Sequence, residues 1–148
     1  MSADSPPLVV VDTNVLLAAT DSSRDLHRAA ASFLAEDERR LAITPQILRE
    51  YLAVSTRPVA ANGLGMSPTD ARANADEILA ISTLLTEGSA TTVRLLELLA
   101  DGHVVGKQVH DANVVACALA HGAAAIVTDN TRHFARFASL IPIEPVVA

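Results

Sequence analysis

The chain has 148 residues, half of them apolar and 19% charged, the composition of one ordinary domain with a full core. Its aromatics are few (Phe33, Tyr51, Phe134, Phe137, no Trp), which argues against a platform that stacks single-stranded bases, and the lone Cys117 excludes an internal disulfide or a multi-Cys zinc site. The net charge of −6, from 11 basic and 17 acidic residues, means that any grip on nucleic acid needs another source of positive charge, such as a bound divalent metal.

No apolar run approaches the ~20 residues of a membrane span. Met1 to Pro7 lacks the basic and apolar regions of a signal peptide, so a cytoplasmic protein with no membrane partner is expected. No repeat, low-complexity tract or linker divides the chain, and residues 1–148 are expected to form a single domain.

In chain order, strand and helix alternate. Leu8-Val9-Val10-Val11 is a wholly apolar run of the kind that forms a buried parallel strand, and Asp12 ends it. Thr13 to Ala19 and Arg24 to Arg39 read as helices, and Leu41-Ala42-Ile43 as a second strand. Thr44 followed by Pro45 caps a helix that runs to about Ser55. Arg57 to Pro68 is rich in Pro and Gly and reads as a loop; it either shapes a substrate groove or joins two helices. Ser67, Pro68 and Asp70 open a helix that extends to about Thr86. Thr91 to Leu99 combines a strand-like start with a helical continuation. Val109-His110-Asp111 leads into a helix stopped by His121-Gly122, and Ala125 to Thr128 is an apolar strand ended by Asp129. A short helix near Arg132–Ala138 and a strand near Leu140–Ile143 close the chain. The alternation predicts an α/β class, a three-layer α/β/α sandwich with a mainly parallel central sheet.

Four acids stand out. Asp12 and Asp129 end buried strands, at the sheet rim where α/β ligands bind. Glu50 falls three residues after Ile47 and four before Val54, on the apolar stripe of its helix. Asp111 precedes Val114 and Val115 by three and four, so it faces inward at the first turn of its helix. The plain alternatives are helix capping for Asp12, Asp111 and Asp129, and an ion pair of Glu50 with Arg49, Arg57 or Lys107. Gathered together, such carboxylates repel and resist desolvation unless cations neutralise them. Two Mg²⁺ would take the formal charge from −6 to −2, and oxygen-only ligands suit hard ions such as Mg²⁺ or Mn²⁺. A metal pair suits phosphodiester hydrolysis, which needs no nucleophilic side chain. No G-x-S-x-G elbow and no phosphate loop ending in Gly-Lys is present.

Val9-Val10-Val11-Asp12-Thr13-Asn14-Val15-Leu16 resembles the opening motif of PIN-domain nucleases. Thr44-Pro45-Gln46-Ile47-Leu48-Arg49-Glu50-Tyr51 resembles the second motif, His110-Asp111-Ala112-Asn113-Val114-Val115-Ala116 the third, and Ile126 to Phe134 the last. The order and spacing are similar over nearly the whole chain, with a likeness to the VapC-type toxins of type II toxin–antitoxin systems. The resemblance implies a PIN-like fold and a Mg²⁺- or Mn²⁺-dependent endoribonuclease. It further implies an RNA substrate, a homodimer or higher oligomer, and silencing by a cognate antitoxin protein.

On this resemblance Asp12, Glu50 and Asp111 take the roles of the three leading acids, and either Asp129 or Asn130 completes the metal site. Thr13 and Asn14 are candidates to orient the first acid or to meet substrate, or else simply start a helix. Lys107 and Arg132 are candidate phosphate contacts, against the alternative of solvated surface charges. His27 is expected to be structural, and His110 either structural or in touch with substrate. Leucine pairs such as Leu84-Leu85, Leu95-Leu96 and Leu98-Leu99 belong either to the core or to a partner interface. Two rival classes stand beside the nuclease. One is a metal-poor binding module. The other is a phosphatase with an aspartyl nucleophile, which Asn14, two residues after Asp12, disfavours because an acid is usual there.

Overall fold

The structure is a computed structural model and describes residues 5–147. The expectation about a leader falls partly on residues 1–4, outside the described residues. Five parallel strands form one sheet: β1 (Leu8–Val11), β2 (Arg40–Ile43), β3 (Thr83–Leu84), β4 (Ala125–Thr128) and β5 (Ile143–Pro145), in the order β3-β2-β1-β4-β5. Seven helices are described: α1 (Thr13–Thr20), α2 (His27–Glu36), α3 (Pro45–Thr56), α4 (Pro68–Ile81), α5 (Ser89–Leu98), α6 (Gln108–Ala120) and α7 (Thr131–Phe134). They pack as two groups, α1 to α4 and α5 to α7, on the sheet. This is the predicted three-layer α/β class.

β1 and β4 have no exposed residue, because helices cover both faces of the sheet. Their neighbouring positions place the topological switch between them: the chain winds outward through β2 and β3 on one side and through β5 on the other. The carboxyl ends of β1 and β4 therefore flank the crevice in which such folds bind ligands. The backbone amide of Asp12 still donates to the Val127 carbonyl at 2.9 Å, so the first acid is tied to the last rung of the β1–β4 ladder.

Several boundaries differ from the sequence reading. The second helix spans His27–Glu36 rather than Arg24–Arg39, because Arg24 belongs to a turn centred on Asp21. Asp21 accepts from the Ser23 amide and from Arg24 Nε. The helix predicted to reach Thr86 ends at Ile81, and Thr83–Leu84 become the edge strand β3 against Ala42 and Ile43. Two residues carry too little periodicity to announce a strand. The stretch around Thr91–Leu99 is helical throughout and begins at Ser89. The last strand lies at Ile143–Pro145 rather than Leu140–Ile143, with Pro145 on the sheet edge where proline is tolerated.

Capping follows the expected residues. Thr44 Oγ1 accepts from the Ile47 amide with Pro45 at the first helical position, and Ser67 Oγ accepts from the Asp70 amide. Segment 57–68 is a clasp. The amides of Leu64, Gly65 and Met66 donate to the carbonyls of Val54, Arg57 and Ser55, satisfying groups that the end of α3 leaves unpaired. A methyl at Gly63 would sit 2.0 Å from the Arg57 carbonyl oxygen, so the clasp closes only around glycine. No helix among the described residues is long and apolar enough to cross a membrane.

Candidate active site

Asp12 is 9% exposed and does two jobs. Its Oδ1 accepts from the Thr13 amide at 2.8 Å and so caps α1, as the plain reading expected. Its Oδ2 accepts from Thr128 Oγ1 at 2.8 Å, which turns the carboxylate towards the end of β4. Burial pushes the Asp12 carboxyl up to about 6; the hydrogen bonds from Thr128 and Thr13 pull the other way, and the charges of Asp111 and Glu50 raise it further.

Glu50 is exposed rather than on the inward stripe. The buried line of α3 is Ile47, Tyr51 and Ser55, at successive intervals of four, and Glu50 lies on its flank directly above Gln46. Its carboxylate nevertheless turns to the site. Oε2 accepts from Thr13 Oγ1 at 3.1 Å and Oε1 from Gln46 Nε2 at 3.1 Å. Among the described residues no cation pairs with Glu50, so the ion-pair alternative with Arg49, Arg57 or Lys107 is not what the structure contains. Gln46 is buried and also donates to the His110 carbonyl at 3.0 Å, while its Oε1 accepts from Asn113 Nδ2 at 3.0 Å. It thereby joins α3 to α6 beneath the acids.

Asp111 is half-buried in the first turn of α6, which begins at Gln108, so it is not the helix cap. Burial raises its carboxyl above the usual range, opposed by the charges of His133, His110 and Arg136 and reinforced by Glu50. Its Oδ2 lies 4.0 Å from His133 Nδ1.

The two candidates for the fourth position are placed differently. Asp129 is exposed and holds the site only through its backbone, whose amide donates to Asn14 Oδ1 at 3.0 Å. Asn130 is half-buried. Its amide donates to Thr128 Oγ1 at 3.0 Å, and its Nδ2 lies 2.9 Å from His133 Nδ1, on the side of Asp111. Asn14 Nδ2 also reaches Thr128 Oγ1, at 3.3 Å. A chain of polar contacts thus runs from Asp12 through Thr128 and Asn130 to His133 and Asp111.

Beside these acids lies a cleft of about 550 Å³. Glu50 and Asp111 form its acidic wall, and Lys107, Arg132 and Arg136 bring cations to the same opening. Lys107 and Arg132, predicted as phosphate contacts, are therefore both at the cleft. Thr13 is buried between two carboxylates, and Asn14 Oδ1 accepts from the Asp129 amide. Gln46, Asn113 and Arg136 were not singled out from sequence. Gln46 is four residues before Glu50, a helical proximity that offers a signal once the acid is chosen; Asn113 and Arg136 have none. His27, expected to be structural, lies away from the cleft with Nδ1 2.8 Å from the Ala18 carbonyl oxygen.

The donor chemistry fits a hard divalent cation: carboxylate oxygens from three separate elements, with no Cys lining the cleft and with Thr13 as the link between Asp12 and Glu50. Among the described residues no three His, Cys, Asp or Glu side chains converge into a ready-made metal cage. The acids are joined through Thr13 and through their shared electrostatic field instead.

A parallel sheet of this order, with acids at the switch point and on two helices facing it, defines a PIN-like α/β domain. The sequence matches the PIN domain family over residues 9–140, and the chain belongs to that family. No curated protein shows a significant match to the sequence. Among solved structures, the fold is similar to DNA-bound VapBC from Salmonella typhimurium, at 21% identity and a TM-score of 0.68, covering 95% of this chain and 99% of that one. It is similar to VapBC2 from Rickettsia felis bound to a promoter DNA fragment, at 22% identity and a TM-score of 0.67, covering 93% and 98%. It is also similar to VapC20 from Mycobacterium tuberculosis, described as a toxin that cleaves the sarcin-ricin loop, at 16% identity and a TM-score of 0.62, covering 80% and 86%.

Proposed function

We propose that this PIN-domain chain is a divalent-metal-dependent endoribonuclease that serves as the toxin of a toxin–antitoxin pair in the cytoplasm. The observation that carries the reading is Thr13. Its amide holds Asp12 and its hydroxyl holds Glu50, so one residue draws two carboxylates from different elements together without any protein cation between them. Arranging acids this way is costly unless a cation completes the site. The fold's similarity to VapBC complexes and to an RNA-cleaving toxin supports the same reading.

Asp12, Glu50 and Asp111 would hold Mg²⁺ or Mn²⁺, with Asn130 better placed than Asp129 to complete the set. When bound, the ion supplies Lewis acidity, making water a better nucleophile and offsetting charge on the phosphate. The chain's own residues do the rest. Thr128 and Thr13 fix the Asp12 carboxylate, Gln46 and Thr13 fix that of Glu50, and Lys107 and Arg132 draw a phosphodiester to the cleft.

The antitoxin would cover an apolar groove of about 520 Å³ lined by Leu16, Leu34, Tyr51, Ile78 and Ile81. Leu84 and Leu96 are exposed while Leu85 is buried, so part of the leucine-rich surface is free for self-association into a homodimer or higher oligomer.

The absence of a preformed cage among the described residues favours one alternative, a metal-poor PIN-fold binding module. Calorimetric titration of Mn²⁺ separates the two. The nuclease reading expects saturable binding that Asp12→Asn removes. A flat titration of the wild-type chain would support the binding module.

A further inference from the structure

Arg136 lies on a short 3₁₀ turn, Ala135–Phe137, that follows α7. Phe134 and Phe137 on either side of it are buried, 2% and 4% exposed, so the turn is pinned to the core while Arg136 projects outward. Its Nη1 donates to the His103 carbonyl at 2.9 Å, on the loop between α5 and α6. That loop reverses through Gly102 and Gly106, both at positive φ, and Asp101 Oδ1 accepts the His103 amide at 3.0 Å. Arg136 is therefore held at its backbone by the buried turn and at its guanidinium by the His103 carbonyl. Arg24, Arg39 and Arg94 each pair with a carboxylate, and Arg136 forms no ion pair among the described residues. Arg136 also lines the cleft that holds Glu50 and Asp111.

Resting on the nuclease reading above, we propose that Arg136 is a phosphate-binding residue that grips the RNA backbone beside the acidic centre, with the His103 carbonyl setting its direction. A guanidinium suits this task. It donates in a planar fork to phosphate oxygens, and one N–H given to a carbonyl leaves four for the ligand. Held at one end, it loses less conformational freedom on binding than a free lysine does. It also answers the charge problem. A chain of net charge −6 must concentrate its cations where RNA lies, and Lys107, Arg132 and Arg136 share one opening.

The test measures binding, not cleavage. The full-length chain carrying Asp111→Asn is titrated with a labelled single-stranded RNA oligonucleotide of mixed sequence, in EDTA, across a range of salt concentrations. Adding Arg136→Gln is expected to weaken binding and to flatten the slope of log K against log salt by about 0.7, the loss of one phosphate contact to a single strand. Arg136→Lys should restore most of the slope, which a purely structural role would not do. Arg94→Gln, at a paired surface arginine, should leave it unchanged. An unaltered slope and affinity in Arg136→Gln overturns the assignment of Arg136 alone. Should the parent chain fail to bind in EDTA, the same titration is run with Mn²⁺, where the Asp111→Asn background prevents cleavage; failure to bind RNA under both conditions overturns the assignment together with the nuclease reading.

Discussion

The hydroxyl of Thr128 donates to Asp12 Oδ2 at 2.8 Å, across 116 positions of sequence. The same oxygen accepts from the Asn130 amide and from Asn14 Nδ2. One hydroxyl at the end of β4 therefore fixes the carboxylate at the end of β1 and the loop that leads to α7. Thr128→Val keeps the shape and removes all three bonds. It should destabilise the fold by about 1–3 kcal/mol, the cost of leaving buried polar groups unpaired. It should also move the Asp12 carboxyl further upward, because a bond that favours its ionised form is gone. Urea unfolding and an NMR titration of Asp12 check the two effects.

Asp12 makes the metal-free stability depend on pH. Burial lifts its carboxyl from an ordinary 3.8 to about 6. Between these values the unfolded chain has released the proton and the folded chain still holds it, so stability falls as pH rises from about 4 to 6 and then levels off. Asp111, raised for the same reason, adds in the same direction. In EDTA at neutral pH, Asp12→Asn should therefore be more stable than wild type by up to about 3 kcal/mol, an advantage that vanishes near pH 4. Thermal unfolding of both proteins across this range measures it. Mn²⁺ should raise the melting temperature of wild type at neutral pH and have little effect on the variant.

Gln46 orders Glu50 without belonging to the acids. Gln46→Ala removes the donor to Glu50 Oε1 and the link to the His110 carbonyl. Cleavage should drop by about 10–100-fold, as for other residues that hold a metal ligand in place. RNA affinity in EDTA should stay close to wild type, since Gln46 is buried and does not line the cleft.

Gly63 closes the clasp that ends α3. Gly63→Ala places a methyl 2.0 Å from a backbone oxygen, and the clasp must open to admit it. Destabilisation of about 1–3 kcal/mol is expected, of the order found for overpacked sites. Gly65 and Met66 should then lose amide protection in hydrogen exchange, because their bonds to Arg57 and Ser55 depend on the closed form.

Much of this was legible in the sequence, for identifiable reasons. β1 and β4 are buried on both faces, so every residue but Thr128 is apolar and each run is followed directly by an acid. Thr44-Pro45 and Ser67-Pro68 mark helix starts because capping is local chemistry. β3 escaped notice because its two residues owe their strand geometry to pairing with β2. Glu50 lies on the flank of α3 because Ser55, not Val54, completes the buried line: a buried polar residue hides the true face in the sequence. Gln46 reaches Glu50 within one helical turn, but its bond to the His110 carbonyl and that of Arg136 to the His103 carbonyl span 64 and 33 positions, which no local pattern encodes. Which of Asp129 and Asn130 turns its side chain towards His133 depends on how the chain turns after β4, which local sequence does not encode.

RNA cleavage by the purified chain, with and without Mn²⁺, compared with Asp12→Asn and Asp111→Asn, tests the central claim most directly. Wild type should cut RNA only when Mn²⁺ or Mg²⁺ is supplied and stop on addition of EDTA, while both variants stay folded by circular dichroism and cut nothing. Equal cleavage by wild type and both variants, or cleavage that persists in EDTA, would contradict it.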